Sequence, residues 1–183
     1  SLPLCWPNPF TEYEKDTNVE EALSIGYGGI EAYGYHALET MQCMVERRAG
    51  GEKGVKSVQC LEGEAVWQAG RDGLWSRELA DAAIGAIINK PDGPMEDHVK
   101  EPAVFLIEYA DGLKAATLML SGYMQEFAYA ARVDGKVHGV EFFLQNEGPF
   151  AHFSYLCQNI QRFFASARAP YPPERTLLTT GIV

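Results

Sequence analysis

AVFLIEYADGLKAATLML, residues 103–120, decides the fold. Two runs of alternating, mainly apolar side chains flank Asp111-Gly112, and Asp-Gly in that setting favours a hairpin closed by a two-residue type I′ turn, whose central residues both need positive φ. The construction returns in FAYAARVDGKVHGVEFFL, residues 127–144, around Asp134-Gly135. Two consecutive hairpins predict an antiparallel sheet. If Ala110 pairs with Leu113, one face of the first hairpin carries Val104, Leu106, Glu108, Ala115, Thr117 and Met119. The other then carries Phe105, Ile107, Tyr109, Ala116, Leu118 and Leu120. Both faces are largely apolar. A sheet with helices on one side only shows water a polar second face, so this one demands a second cover.

Working outward, Ile30, Ala37, Leu38, Met41, Met44 and Val45 recur at three- and four-residue steps, which predicts a helix within Gly26–Arg48. Arg47 and Arg48 oppose its carboxyl-terminal dipole, and Gly50-Gly51 ends it. VKSVQCLEGEAVWQAG reads as one or two strands, and Ser76 caps a helix over RELADAAIGAIINK. KPDGPMEDHVKEP reads as a loop. PFAHFSYLCQNIQRFFASA is a helix expected to bury Phe153, Leu156, Cys157, Ile160 and Phe164. A last helical pattern aligns Leu177, Leu178 and Ile182 behind two prolines. Residues 1–22 read as an extended leader and 23–183 as one domain. The predicted class is α+β: an open, predominantly antiparallel sheet with helices packed on one face, its other face left for another subunit or domain.

The totals narrow the functions. A chain of 183 residues, 46% apolar and 22% charged, is long enough to bury one core. A formal charge of -10 argues against a nucleic-acid partner, which needs Lys and Arg to displace counterions. No apolar run is long enough to span a membrane, and no basic-then-apolar leader marks export, so a cytoplasmic location is expected. Cys5, Cys43, Cys60 and Cys157 lack zinc spacing and read as free, buried thiols. The proline-rich start and the abrupt end suggest a chain cut at both termini.

Few motifs carry chemistry. Gly26-Tyr27-Gly28-Gly29-Ile30-Glu31 is the nearest approach to a dinucleotide fingerprint, and Glu31 stands where its third glycine should be. No phosphate-binding lysine loop, nucleophile elbow or zinc-protease motif occurs. His36 is the candidate general acid or base, a titratable group near the start of a helix. Tyr33, Glu39 and Thr40 lie within one turn on its side. Glu31, five positions earlier, falls about 140° away on an α-helix. Arg132 and Glu141 share a strand face and are expected to pair or be solvated; Trp67 and Trp75 read as core or interface.

GGIEAYGYHALETMQCM resembles the G-G-x-x-x-D-x-G-x-H-x-x-D segment that opens the carboxyl-terminal domain of the Gfo/Idh/MocA oxidoreductases. ERRAGGEKGVKSVQCLEGEAVWQA and PPERTLLTTGIV also look like that domain. The resemblance aligns Gly28, Gly29, Gly34, His36 and Glu39 with the motif, and it places Ala32 where the family has an aspartate. It implies an NAD(P)-dependent enzyme acting on a sugar or polyol, in which His36 contacts the hydroxyl being oxidised. Tyr33, Glu39, Thr40 and His138 are the candidate substrate contacts. It implies further that NAD or NADP and a catalytic lysine belong to a Rossmann domain preceding this chain in the same polypeptide. This domain alone would then be inactive, and its open sheet face would form a homo-oligomer. A non-catalytic dimerisation or carbohydrate-binding module is the alternative.

Overall fold

A computed structural model describes residues 5–90, 92–145 and 147–183. Residues 1–4 of the expected leader and Pro91 of the expected loop lie outside the described residues. The strands are β1 (Cys5–Asn8), β2 (Val19–Gly26), β3 (Val55–Glu62), β4 (Ala103–Tyr109), β5 (Lys114–Met119), β6 (Phe127–Val133) and β7 (Lys136–Leu144). The helices are α1 (Tyr35–Val45), α2 (Glu64–Arg71), α3 (Arg77–Ala86), α4 (Met95–His98), α5 (His152–Ser166) and α6 (Glu174–Ile182). One sheet runs in the order β1-β7-β6-β2-β5-β4-β3. Its neighbours are antiparallel except β2 and β5, which run parallel. The α+β class and the mostly antiparallel sheet are therefore as the hairpins predict.

The two Asp-Gly turns differ. Asp134 and Gly135 both take positive φ (48° and 72°), and Val133 pairs with Lys136, as a two-residue type I′ turn requires. The first hairpin instead closes with Tyr109 N–H donating to Leu113 O at 2.9 Å, over a three-residue loop in which Gly112 has φ 92°. The register shifts by one, so Val104 faces Leu118 and Ile107 faces Ala115. A one-residue slip turns every side chain of one strand to the opposite face. Phe105, Ile107, Tyr109, Ala115 and Met119 thus share one face, and Val104, Leu106, Ala116, Leu118 and Leu120 the other. The cause lies outside the hairpin. Asp111 accepts from Arg48 Nε at 2.7 Å and from Leu113 N–H at 3.2 Å, so its carboxylate anchors the loop to the end of α1.

Both faces are covered within the chain except at the edge strand β3, most of which is exposed. Leu38, Met41 and Val45 of α1, with Ile182 of α6, pack over Phe105, Tyr109, Met119, Tyr129 and Phe142. On the opposite side Leu79 and Ala83 of α3, Val66 and Trp67 of α2 and Met95 of α4 cover Leu23, Ile25, Val104, Leu118 and Ala130. The expectation of helices on a single face is corrected here, since helices pack on both. The need for a second cover was real; α2, α3 and α4 meet it. Gly139 of β7 shows how closely α3 is seated, since a Cβ there would lie 2.2 Å from Ala82 O. Ser76 caps α3 as expected, its Oγ accepting from Leu79 N–H at 3.2 Å.

Other expectations are corrected as well. The described part of the leader is built into the fold: Cys5–Asn8 pairs with β7, Tyr13 is buried, and Val19–Gly26 forms a central strand. VKSVQCLEGEAVWQAG is one strand and one helix, because Gly63 at φ 61° breaks it. Met95–His98 adds a helical turn to the expected loop. Cys60 and Cys157 are exposed, whereas Cys5 and Cys43 are buried. On α5, Phe153, Cys157, Ile160 and Phe164 are exposed rather than buried.

The carboxyl end of α1 is held by a polar network. Arg48, 3% exposed, donates to Asp111, to Val45 O and to Glu52, and its guanidinium lies 4.5 Å from the Tyr109 ring centroid. Tyr109 Oη donates to Gln42, whose amide donates to Glu52. Burial is the largest single influence on Glu52 and Asp111 and works against their charge, but the Arg48 hydrogen bonds, the Gln42 side-chain and backbone N–H donors and the Arg48 charge together outweigh it and hold both carboxyls below the usual range. The expected role of Arg48 at the helix end is present, within a larger structural network.

Candidate functional site

At one end of the sheet β2 gives way to Tyr27-Gly28-Gly29 and a π-turn, Ile30–Gly34, before α1 begins. The glycines serve packing. A Cβ on Gly26 would lie 2.6 Å from Ala37 Cβ, so its absence lets α1 press onto β2. Gly28 has φ 80°, and a Cβ there would meet the Tyr33 ring at 2.6 Å. Ser121 Oγ donates to Gly28 O at 2.9 Å and fixes the loop. A strand, glycines and a helix do follow one another here. The next strand, however, is β3 at the far edge of the sheet rather than one beside β2, so no βαβ unit forms. With Glu31 in the third glycine position, this segment does not fit a dinucleotide.

The π-turn gathers aromatic rings around His36. The imidazole centroid lies 6.1 Å from that of Tyr33, 5.6 Å from Tyr35 and 6.2 Å from Phe127. Tyr27 joins the cluster 5.1 Å from Tyr33 and 5.0 Å from Phe127. His36 is half-buried, and its Nδ1 is enclosed without a hydrogen-bond partner. Nε2 is therefore the ring nitrogen left for a ligand. Burial lowers the imidazole pKa below its ordinary value, against a weaker pull from Glu39.

Tyr27 and Phe127 also wall a cavity of about 550 Å³ at the rim of β6 and β7. Glu126, Glu141 and Gln145 supply acceptors to it. Glu141 is 2% exposed and its Oε2 has no partner, and Gln145 Oε1 is likewise enclosed and unpaired. Burial raises the Glu141 carboxyl above the usual range, opposed by hydrogen bonds from the Asn8 side chain and the Ile88 N–H. An aromatic wall beside unmatched acceptors suits a ligand that presents hydroxyl or N–H donors next to C–H surface. A wider, open cleft of about 1240 Å³ lies on the other side of Gly28 and Gly29, but its charged residues Glu31, Glu62, Lys100 and Glu101 are all exposed.

The expected site residues separate. Tyr33 stacks on Phe127, with centroids 6.4 Å apart and planes at 19°, so it stands beside His36 as expected. Glu39 and Thr40 are completely buried; Thr40 Oγ1 donates to Ala37 O at 2.7 Å, and the charge of Glu39 acts on Cys43 and Arg175 in the interior. The α-helical neighbours of His36 thus turn inward. His138 is exposed on β7, four residues from Phe142, roughly 13 Å along the strand. It shares no cavity with His36 among the described residues. Glu31 is exposed, and among the described residues no hydrogen bond joins it to His36. Arg132 does not meet Glu141; it pairs with Glu78 at 2.6 Å. Tyr27 was not singled out from the sequence, and Glu141 was expected only as a solvated residue or a partner of Arg132. The available signal was an acid between Val140 and Phe142, two residues that the hairpin pattern buries.

No family model matches this chain, nor does any curated protein or any solved structure.

Proposed function

We propose that this chain is the substrate-binding domain of an NAD(P)-dependent oxidoreductase acting on a sugar or polyol, with His36 exchanging a proton with the reacting hydroxyl. The observation that carries the reading is the half-buried His36, its pKa lowered by burial, one aromatic ring from a cavity with unmatched acceptors. Glu141 and Gln145 would accept from ligand hydroxyls, while Tyr27 and Phe127 stack against sugar C–H faces. Nε2 of a neutral imidazole accepts a proton; burial then favours its release. In this reading the hydride acceptor is held by a Rossmann domain of the same polypeptide, a view supported by the lack of a βαβ unit around Gly26–Glu31. The chemistry assigned here ends at binding and proton transfer.

The test uses the polypeptide with its cofactor domain, screened for NAD(P)-linked oxidation of aldoses, alditols and inositols. With an oxidised substrate in hand, His36→Ala lowers kcat/KM by roughly 10²-fold or more. The acid limb of the kcat/KM profile falls below pH 6.5, the ordinary value from which burial displaces His36. Unchanged turnover in His36→Ala would remove the role given to that side chain. A non-catalytic carbohydrate-binding module is the second reading, favoured by Ala32 at the position where the resembled motif has an acid. It predicts binding of the same sugars with no cofactor reduction.

A further inference from the structure

Helix α5 is amphipathic, yet most of its apolar stripe is exposed. At 100° per residue, Phe153, Leu156, Ile160, Phe163 and Phe164 fall within an arc of about 100°. Phe153 is 55% exposed, Ile160 44%, Phe163 43% and Phe164 78%, with Phe150 just before the helix at 57%. His152 is the one buried residue of the helix, and every residue from 160 to 166 is exposed. The first turns touch the body through His152, Tyr155 and Asn159, a face centred to one side of the stripe, with Leu156 half-buried where the two meet. The last two turns stand clear of the sheet and end at Ala167, whose φ of 53° terminates the helix.

We propose that this stripe is the contact surface for a second copy of the same chain, α5 lying against α5 across a two-fold axis. The area is sufficient. Scaled by their exposure, four phenylalanines of roughly 200 Å² each and Ile160 offer about 500 Å² per copy. Two copies together bury about 1,000 Å², the lower bound for a specific dimer. The charges select the occupant. A two-fold axis sets each group near its own image, so a charge beside the stripe would face a like charge. In a chain of net charge -10, His152–Ser166 contains no Asp or Glu. Its one cation, Arg162, projects about 150° from the stripe's centre, and Cys157 and Gln161 on one flank and Asn159 on the other are neutral. An anionic membrane surface or a nucleic acid would require a basic flank, which this helix lacks.

Sedimentation of the purified chain over 1–100 µM tests this. The expected result is a reversible dimer of twice 20.2 kDa. Ile160→Glu and Phe164→Glu each weaken dimerisation at least tenfold while circular dichroism stays unchanged, because both side chains are exposed in the monomer. Leu177→Glu, at a 76% exposed site on α6, leaves the dimer intact. Mixing Ile160→Glu with Ile160→Lys restores a dimer, which only a contact of α5 with its own copy can do. A wild-type chain monomeric at 100 µM overturns the proposal, as does a dimer indifferent to Ile160→Glu and Phe164→Glu or a charge-swapped mixture that stays monomeric. Recruitment of lipid vesicles by a monomeric chain would likewise assign the stripe elsewhere.

Discussion

Gly139→Ala tests whether α3 is seated on the sheet as described. The added Cβ would lie 2.2 Å from Ala82 O and 2.8 Å from Ala82 C, where carbon atoms of side chains essentially never come within 3.0 Å of a neighbour. The obstacle is helix backbone, which no rotamer change can move aside. Relief requires α3 to lift by nearly 1 Å, loosening Leu79, Ala83 and Ile84 together, or β7 to bend. Overpacking of this kind costs roughly 1–3 kcal/mol, and a rigid backbone contact belongs at the upper end. For a chain of this length 1 kcal/mol shifts Tm by about 2–4 °C, so the variant should melt roughly 6–12 °C lower. Gly85→Ala is the paired control: it lies in the same helix, a Cβ there meets nothing within 4 Å, and the better helix former should add up to about 1 kcal/mol. Urea and thermal unfolding followed by tryptophan fluorescence suit both variants, since Trp67 and Trp75 are buried in the α3 cluster. If Gly139→Ala matches or exceeds the wild type while Gly85→Ala behaves as expected, α3 does not cover β7, and the two-sided packing is wrong.

Two further outcomes follow from charge. Arg48→Met leaves Glu52 and Asp111 without their cation and should cost about 2 kcal/mol at pH 7, short of a fully buried pair because both carboxylates are partly exposed. Their folded pKa values lie below the unfolded ones, so the network's contribution is present above about pH 4 and is lost as pH falls further. The urea midpoints of variant and wild type should therefore converge towards pH 3, and a gap that persists there would argue against the pairing. Glu141 has the opposite sign: its folded pKa is raised, so ionisation destabilises the fold as pH rises past the unfolded value. Glu141→Gln should then be more stable than the wild type at pH 7 and equal to it near pH 4; a loss at pH 7 would show the carboxylate to be satisfied.

The sequence made legible what local chemistry decides. Asp134-Gly135 closes its hairpin in the expected register, because nothing distant competes for Asp134 strongly enough to alter the turn; Asn18 reaches it at 3.2 Å without doing so. Asp111-Gly112 has the same residues, but a guanidinium 63 positions earlier captures its aspartate and the loop opens by one residue. Strand β2 went unread because VEEALSIG has two acids among its first three residues and runs into glycines, while both of its partners lie far along the chain. The stripe on α5 was read correctly as apolar, yet periodicity names an apolar face without saying what meets it. At the candidate site, His36 and Tyr33 were visible because one turn of chain joins them. Glu141, Gln145 and Phe127 reach the rim through the β6–β7 register, which no local pattern displays.

Strand β2 binds the two hairpins into one sheet, gripping β5 at a separation of 93 residues through the buried Ser24–Thr117 hydroxyl pair and β6 on its other edge. Each hairpin can zip up from its own turn in microseconds, but joining them requires the closure of a very long loop. On the ribosome the order is awkward. Leu23 and Ile25 emerge early, and the last residues of β6 arrive on the order of 5–20 s later at ordinary elongation rates. For that interval the middle of the future sheet is an unpaired, greasy ribbon, and the nascent chain is at its most vulnerable to sticking to others before its keystone has anything to hold.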